Sequence, residues 1–193
     1  MMLTHRLSCY ETNSTEWPLF LKGKSQGNLE LLMPLIERCS DRLSQELCSI
    51  TQHLVSSNHA KIYLCPIPAR RKRLIERGYS PQHLLAEYIS QCLGHPFRYD
   101  PRRIKRIKQT TPQTGLTRSQ RLKGQINSLR YVGEPNDQVI LVDDVITSGS
   151  TLNEAERALK ELGIIPLVSL SLFLTDQQIN TELPIDPLFK ELV

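Results

Sequence analysis

The sequence contains no long hydrophobic run. In its 193 residues no apolar stretch approaches the roughly 20 residues that a membrane-spanning helix requires. The first residues also lack the basic stretch followed by an apolar stretch that marks a secretion signal. With 39% hydrophobic and 23% charged residues, the composition is that of a folded domain. We therefore expect a cytoplasmic protein that does not insert into membranes.

Cysteine and histidine lack the spacing of a metal site. No two cysteines stand at a C-x-x-C interval and their number is odd, which argues against a zinc ribbon or a disulfide framework. The five histidines have no metal-ligand spacing either. We expect no zinc, no directly ligated metal ion, and cysteines that are small buried side chains in a reducing compartment. The five cysteines are Cys9, Cys39, Cys48, Cys65 and Cys92.

Positive charge is concentrated in one third of the chain. Residues 70–130 hold 15 Lys and Arg against 3 Asp and Glu, whereas the other 132 residues hold 9 against 17. The net charge of +4 therefore hides a basic segment with a local charge of +12. Such a segment indicates a polyanionic partner, either the phosphates of a small ligand or those of a nucleic acid. A solvated run of charge is the alternative.

The apolar pattern alternates between helices and strands. Helical periodicity covers residues 29–55, 81–94 and 151–162, and strand-like apolar runs cover residues 61–65, 139–142 and 167–174. Strand–helix–strand order with short connections predicts an α/β fold with a parallel sheet flanked by helices. Elsewhere we expect a short strand at residues 17–21, loops at residues 22–28 and 70–73, and a functional or mobile loop across residues 98–130.

The segment from residue 139 to residue 151 combines the features of an anion-binding site. A buried strand leads to two carboxylates, Asp143 and Asp144, and a hydroxyl-rich turn leads into a helix whose first N–H groups carry partial positive charge. Gly149 lets the backbone approach a ligand closely. The turn is neither a Walker A loop nor a G-x-G-x-x-G loop. We predict a phosphate site beside carboxylates that bind sugar hydroxyls or a hydrated metal ion.

The same residues allow a plainer interpretation. Acids after a strand and a turn rich in Ser and Thr can simply cap the next helix. Residues 151–154 (Thr-Leu-Asn-Glu) fit a capping box, and Gly163 stands where a helix terminator belongs. We favour the functional interpretation because thirteen consecutive residues fit one site.

The run from Val142 to Thr151, VDDVITSGST, resembles the phosphoribosyl pyrophosphate (PRPP) motif of type I phosphoribosyltransferases. The resemblance implies a Rossmann-type parallel sheet. It implies that Asp143 and Asp144 bind the ribose hydroxyls, directly or through water on an Mg²⁺ ion that accompanies PRPP. It further implies that the 5′-phosphate is held by Thr147, Ser148, Gly149, Ser150 and Thr151.

A second resemblance covers roughly residues 61–175 and is to the ComF family. The resemblance rests on Pro-Ile-Pro at residues 66–68, Arg-Gly-Tyr-Ser-Pro-Gln at residues 77–82 and Ile-Lys-Arg at residues 104–106. ComF proteins serve natural transformation, in which imported single-stranded DNA is handled at the cytoplasmic side. The resemblance therefore implies single-stranded DNA and proteins of the competence machinery as partners. Many ComF proteins carry an N-terminal four-cysteine zinc module, whereas this chain has only Cys9 there.

The resemblance also divides the chain. We expect a small N-terminal extension at residues 1–58, which is mostly helical and is built from helices or a hairpin. We expect a phosphoribosyltransferase-like domain at residues 59–193.

The basic segment has two functional interpretations. As part of an enzyme, the loop after Pro68 binds pyrophosphate, and residues 104–121 form a flexible flap over it. The pyrophosphate residues would be Arg70, Arg71, Arg77 and Gly78, and the flap residues Arg106, Thr110, Gln113 and Arg121. As a nucleic-acid surface, the segment contacts a DNA backbone through Arg102, Arg103, Lys105, Arg106 and Lys108.

Three functions are compatible with the sequence. The first, which we favour, is a ComF-type competence protein that binds PRPP or phosphate and handles incoming single-stranded DNA. The second is a phosphoribosyltransferase that uses PRPP and an acceptor base that the sequence does not name. The third is a PRPP-sensing regulator, which no helix-turn-helix segment supports.

Overall fold

The computed structural model describes residues 6–55, 61–107 and 127–175. The helices in these residues are α1 (Trp17–Gln26), α2 (Leu29–Val55), α3 (Arg71–Arg77), α4 (Pro81–Leu93) and α5 (Ser150–Lys160). The strands are β1 (Arg6–Glu11), β2 (Ile62–Pro66), β3 (Phe97–Tyr99), β4 (Ile104–Arg106), β5 (Leu129–Tyr131), β6 (Gln138–Ile146) and β7 (Val168–Leu174).

Five strands form one parallel sheet in the order β1-β7-β6-β2-β3. β6 lies at its centre, and the pairing of Leu141 with Cys65 on one side and Ser169 on the other sets the register. Strands β4 and β5 form a separate antiparallel pair. The predicted α/β fold with a parallel sheet flanked by helices is confirmed, and it is consistent with the expected Rossmann-type arrangement.

Both faces of the sheet are covered, which explains the uninterrupted apolar run of β6. Ile140 and Val142 belong to a core shared with α1, α2 and α4. Val139 and Leu141 belong to a second core shared with α5 and the β4–β5 pair. A strand buried on both faces has a continuous hydrophobic sequence because alternate side chains meet two different layers.

Most predicted elements are present. The helices expected at residues 29–55, 81–94 and 151–162 are confirmed as α2, α4 and α5, and the strands expected at residues 61–65, 139–142 and 167–174 as β2, β6 and β7. β6 runs on to Ile146 because its pairing with β7 continues that far.

The strand predicted at residues 17–21 is wrong, because these residues belong to helix α1. Pro18 stands in the first helical turn, where its missing N–H costs no hydrogen bond. Phe20 is fully buried against the rings of Trp17 and Phe173. Trp17 and Phe20 therefore lie on the face of a helix that packs against the first core.

The loops predicted at residues 22–28 and 70–73 are also largely helical. α1 continues to Gln26, and α3 begins at Arg71. The segment 98–130, which the sequence predicts as a functional or mobile loop, contains most of β3, all of β4 and the start of β5. The described residues at both of its ends therefore include β-strands.

The capping box predicted at residues 151–154 is wrong. α5 begins one residue earlier, with Gly149 as its N-cap and no side-chain cap. Glu154 is buried and accepts hydrogen bonds from the N–H groups of Ser128 (2.7 Å) and Leu129 (3.2 Å). Its carboxylate therefore ties α5 to the start of β5 instead of closing its own helix.

The N-terminal residues join the layers formed by the rest of the chain. β1 pairs in parallel with β7, with Leu7 beside Leu170, so the described residues 6–55 contain no hairpin. α1 and α2 share the first core with α4 and with the strands. The predicted boundary between residues 58 and 59 lies outside the described residues.

One disulfide bond joins β1 to α2, contrary to the expectation of unpaired cysteines. It links Cys9 to Cys39, which are 30 positions apart in sequence and become neighbours only when α2 packs beside β1. Cys65 is buried as predicted, whereas Cys48 and Cys92 are exposed.

Membrane-spanning helices are not found in residues 6–55, 61–107 and 127–175, where every helix is too short or too polar to cross a bilayer.

Candidate functional site

The two predicted carboxylates lie where the central strand extends past its neighbour. β2 ends at Pro66, which pairs with Val142, whereas β6 continues through Asp143 and Asp144 to Ile146. Both acidic residues are half-buried. Ligands of open α/β sheets bind at this carboxyl edge, so the strand register directs the acidic pair to the place where a ligand would lie.

The setting of Asp143 favours its protonated form. Burial, and after it the neighbouring Asp144 carboxylate, raise the pKa of Asp143 to about 7. Its Oδ1 accepts a hydrogen bond from the Asp144 N–H (2.8 Å). The positive charges of Lys24 and Arg106 oppose this shift only in part. Carboxyl groups whose pKa lies near neutrality are concentrated at functional sites.

An ammonium group from α1 is bound to the other carboxylate. Lys24 Nζ forms an ion pair with Asp144 Oδ2, and the two side chains are only 14% and 17% exposed. The same Nζ lies 5.0 Å from the centroid of the Phe20 ring. Sequence analysis misses this contact, because it predicts a loop at residues 22–28 and because the two partners are 120 positions apart.

The turn after β6 and the first turn of α5 enclose a small cleft. Gly149 has a φ of 68°, and the first hydrogen bond of α5 runs from the Asn153 N–H to the Gly149 carbonyl (2.8 Å). The preceding N–H groups therefore have no acceptor within the helix. The residues that line the cleft are Asp143, Val145, Ile146, Thr147, Gly149, Ser150, Thr151 and Leu152.

The structure thus brings four of the five predicted phosphate-loop residues together with one of the two acids. The fifth loop residue, Ser148, is exposed beside the cleft. Its Oγ donates a hydrogen bond to Ser150 Oγ (3.0 Å).

A second basic residue that sequence analysis missed contacts this turn. Arg6, the first residue of β1, donates from Nη2 to Asn153 Oδ1 (3.0 Å). A Cβ atom at Gly149 would lie 2.8 Å from Arg6 Nη1, so the guanidinium packs directly on the glycine. Arg6 therefore adds positive charge beside the predicted phosphate loop. No local pattern could have indicated it, because the contact exists only through the position of β1 at the sheet edge.

The predicted pyrophosphate residues belong to α3 and its two ends. Arg70 is the N-cap residue, Arg71 and Arg77 are the first and last helical residues, and Gly78 follows the helix. No residue of α3 is buried. Burial, and then the neighbouring Arg73, lower the pKa of Arg70, as expected where positive charges are crowded together.

Arg106 connects this basic cluster to the acidic pair. Its Nη2 donates to the Pro68 carbonyl (3.1 Å). Burial and then Arg70 lower the pKa of Arg106, whereas Asp143 raises it, so both groups act on the guanidinium. Its buried Nε has no hydrogen-bond partner within the described part of the chain. The other predicted flap residues, Thr110, Gln113 and Arg121, lie outside the described residues.

Two of the residues predicted to contact DNA have exposed, charged side chains. Arg102 and Lys105 are exposed on either side of the start of β4. Arg106 is instead half-buried and directed to the Pro68 carbonyl. Lys108 lies outside the described residues.

Arg103 differs from them because its charge is compensated inside the fold. Its guanidinium carbon lies 3.4 Å from the centroid of the Tyr63 ring, and it forms ion pairs with Asp100 and Asp137. Tyr131 Oη accepts a further hydrogen bond from Arg103 (3.2 Å). Arg103 is therefore the least suited of the described candidates to bind a phosphate.

The donor set suits a hydrated divalent cation better than a fully ligated metal ion. In residues 6–55, 61–107 and 127–175 no group of three or more His, Cys, Asp or Glu side chains could hold a metal. Asp143 and Asp144 offer hard oxygen donors, and Mg²⁺ bound by one or two carboxylates usually keeps several waters. The Lys24 ammonium already places a cation on Asp144.

Gly149→Ala is expected to lower the free energy of unfolding by about 1 kcal/mol more than Gly163→Ala. Both glycines have positive φ, 68° and 73°, so both substitutions strain the backbone. A Cβ at Gly163 meets nothing within 4 Å, whereas one at Gly149 displaces Arg6 from its hydrogen bond with Asn153. Urea unfolding measures the difference. Equal destabilisation would contradict the packing of Arg6 on the turn.

Asp143→Asn is expected to raise the free energy of unfolding at pH 8 by on the order of 1 kcal/mol or more. The folded protein keeps a proton on Asp143 up to about pH 7, whereas the unfolded chain releases it near 3.8. The stability from this group is therefore complete at pH 3.8 and below, and is lost as the pH rises to 7.

Denaturant unfolding between pH 5 and 8 compares wild type, Asp143→Asn and Glu134→Gln. The last variant removes an exposed carboxylate and should keep the wild-type pH profile. Parallel profiles for wild type and Asp143→Asn would contradict a raised pKa of Asp143 in the folded protein.

Comparison with known proteins bears on the family. No protein-family model matches the chain. It is 30% identical over 147 residues to competence protein ComFC of Bacillus subtilis, a match that covers 72% of this chain and 58% of that protein. It is 36% identical over 105 residues to competence protein F of Haemophilus influenzae, covering 52% of this chain and 45% of that protein. The chain thus spans about half the length of the curated relatives it matches. Both relatives agree with the family predicted from the sequence, and the chain belongs to the ComF family.

Proposed function

We propose that the chain is a competence protein that binds PRPP, or a related sugar phosphate, together with Mg²⁺, and that handles incoming single-stranded DNA during natural transformation. The names of the two relatives support the competence role. The observation that supports this ligand is the cleft, which is lined by Asp143 and by the turn before α5.

The phosphate half of the cleft has the donors that an anion requires. The N–H groups at the start of α5 have no acceptor within the helix, and its dipole is positive at this end. The hydroxyl groups of Thr147, Ser150 and Thr151 surround the same space. Arg6 adds a full positive charge at Gly149. A 5′-phosphate is the part of PRPP that this half would bind.

The acidic half would bind the ribose. Carboxylates accept hydrogen bonds from a vicinal pair of hydroxyls, and Asp143 and Asp144 stand next to the phosphate turn on the same strand. Mg²⁺, when bound with PRPP, would supply charge neutralisation for the pyrophosphate. Arg106, on which both Arg70 and Asp143 act electrostatically, would together with Arg70 supply positive charge for that pyrophosphate.

A phosphoribosyltransferase that consumes PRPP is the second candidate. Departure of pyrophosphate needs positioning and charge neutralisation rather than a nucleophilic side chain. Cys65, on the neighbouring strand β2, is fully buried and its pKa is raised by burial, so it is unsuited to act as a nucleophile. Release of pyrophosphate from PRPP in the presence of single nucleobases separates turnover from binding alone.

PRPP with Mg²⁺ is expected to raise the Tm of the protein, since a ligand that binds only the folded state stabilises it. Asp143→Ala combined with Asp144→Ala should abolish this shift, because the sugar loses its acceptors. Thermal unfolding with and without millimolar PRPP measures the effect, with Glu134→Ala as a control for lost negative charge. Absence of a shift in wild type would contradict the proposed ligand.

Arg102→Ala combined with Lys105→Ala is expected to weaken single-stranded DNA binding. Each lost phosphate contact should flatten the slope of log K against log salt by about 0.7. Fluorescence anisotropy of a labelled oligonucleotide at several salt concentrations measures both changes. Lys160→Ala, an exposed lysine at the end of α5, is the control. Unchanged affinity and slope in the double variant would rule out this surface.

A further inference from the structure

Asp144, the neighbour of the cleft residue Asp143, has a cation of its own. Lys24 extends from the last turn of α1 to Asp144, which lies 120 positions further along the chain. Both side chains are largely shielded from solvent. Such an ion pair keeps most of its strength in salt, because counter-ions screen it less than a pair on the open surface.

The helix that carries Lys24 is fixed in place. Phe20 anchors α1 in the first core, and Gly23 packs so closely on Leu32 that a Cβ would lie 2.8 Å from Leu32 Cδ2. Tyr79 Oη also donates to the Gly23 carbonyl (3.0 Å). Release of the ammonium from Asp144 therefore requires rotation of one flexible side chain and no movement of the helix.

The ammonium and a divalent cation would use the same carboxylate. Asp143 Oδ1 is bound to the Asp144 N–H, and Asp144 Oδ2 is bound to Lys24. A dication placed on the pair while Lys24 stays would lie next to a like charge in a partly shielded site, where such repulsion is strong. Asp144 can therefore bind only one of the two cations at full affinity.

We propose that Lys24 is a built-in counter-ion that holds Asp144 until a divalent cation displaces it. The inference rests on the proposed function only in taking Asp143 and Asp144 as the pair that faces the cation. Lys24 is thus a positioning residue: it keeps the Asp144 carboxylate neutralised and ordered until the divalent cation arrives. The exchange makes cation affinity lower than the two carboxylates alone would give.

Calorimetric titration with Mn²⁺ alone tests the exchange. Lys24→Met keeps an unbranched side chain of similar length and removes its charge, so Mn²⁺ should bind about tenfold more tightly, within the usual range of coupling between two sites. Lys22→Met, an exposed neighbour on the same helix, makes the same change in net charge and should leave Mn²⁺ affinity as in wild type. Asp144→Asn should weaken Mn²⁺ binding.

Several results would overturn the inference. Equal or weaker binding by Lys24→Met, equal gains in the two lysine variants, full binding by Asp144→Asn, or no Mn²⁺ binding by either wild type or Lys24→Met would each contradict it. Binding by Lys24→Met alone would support it, because the ammonium would then be the barrier.

A second measurement needs no variant. Amine acetylation of the wild-type protein, read by mass spectrometry, should modify Lys24 more readily when Mn²⁺ is present, relative to Lys22. An unchanged ratio would contradict displacement. Neither measurement contains PRPP, so the exchange can hold when PRPP binding fails, and the two proposals are tested separately.

Discussion

Strand β6 is paired on both sides as far as Val142 and only with β7 beyond it. Its pairing with β7 alone continues β6 for four more residues and leaves the side towards β2 unpaired. The acidic pair lies in that extension, and the turn and helix α5 follow at a position that the β7 pairing fixes. A β2 longer by two residues would pair with Asp143 and Asp144 and cover their backbone on that side.

The cleft is completed by residues from the start of the chain. Arg6 reaches the turn because β1 lies at the sheet edge, and Lys24 reaches Asp144 because α1 packs through Phe20. A disulfide bond between Cys9 and Cys39 joins β1 to the helix that follows α1. A fragment beginning at residue 59 would therefore keep the acidic pair and the turn but lose two of the cations that surround them.

The sequence predicted well those features that depend on residues close together in the chain. Strand, acids, hydroxyl-rich turn and helix follow one another within thirteen residues, so their proximity in space is guaranteed by chain connectivity. Glu154 shows the limit: its position fits a cap for α5, but burial beneath β5 offers its carboxylate two unpaired N–H groups. Lys24 and Arg103 show a second limit. A lysine or arginine in the sequence gives no information on whether a distant carboxylate neutralises its charge in the fold.

The β4–β5 pair joins Arg106 to Leu129, and the Ile107 N–H donates to the Ser128 carbonyl (2.9 Å). The two strands therefore hold residues 107 and 128 side by side. The pair thus sets both anchor points of residues 108–126 at the second core, in which Ile104, Leu129 and Tyr131 are buried.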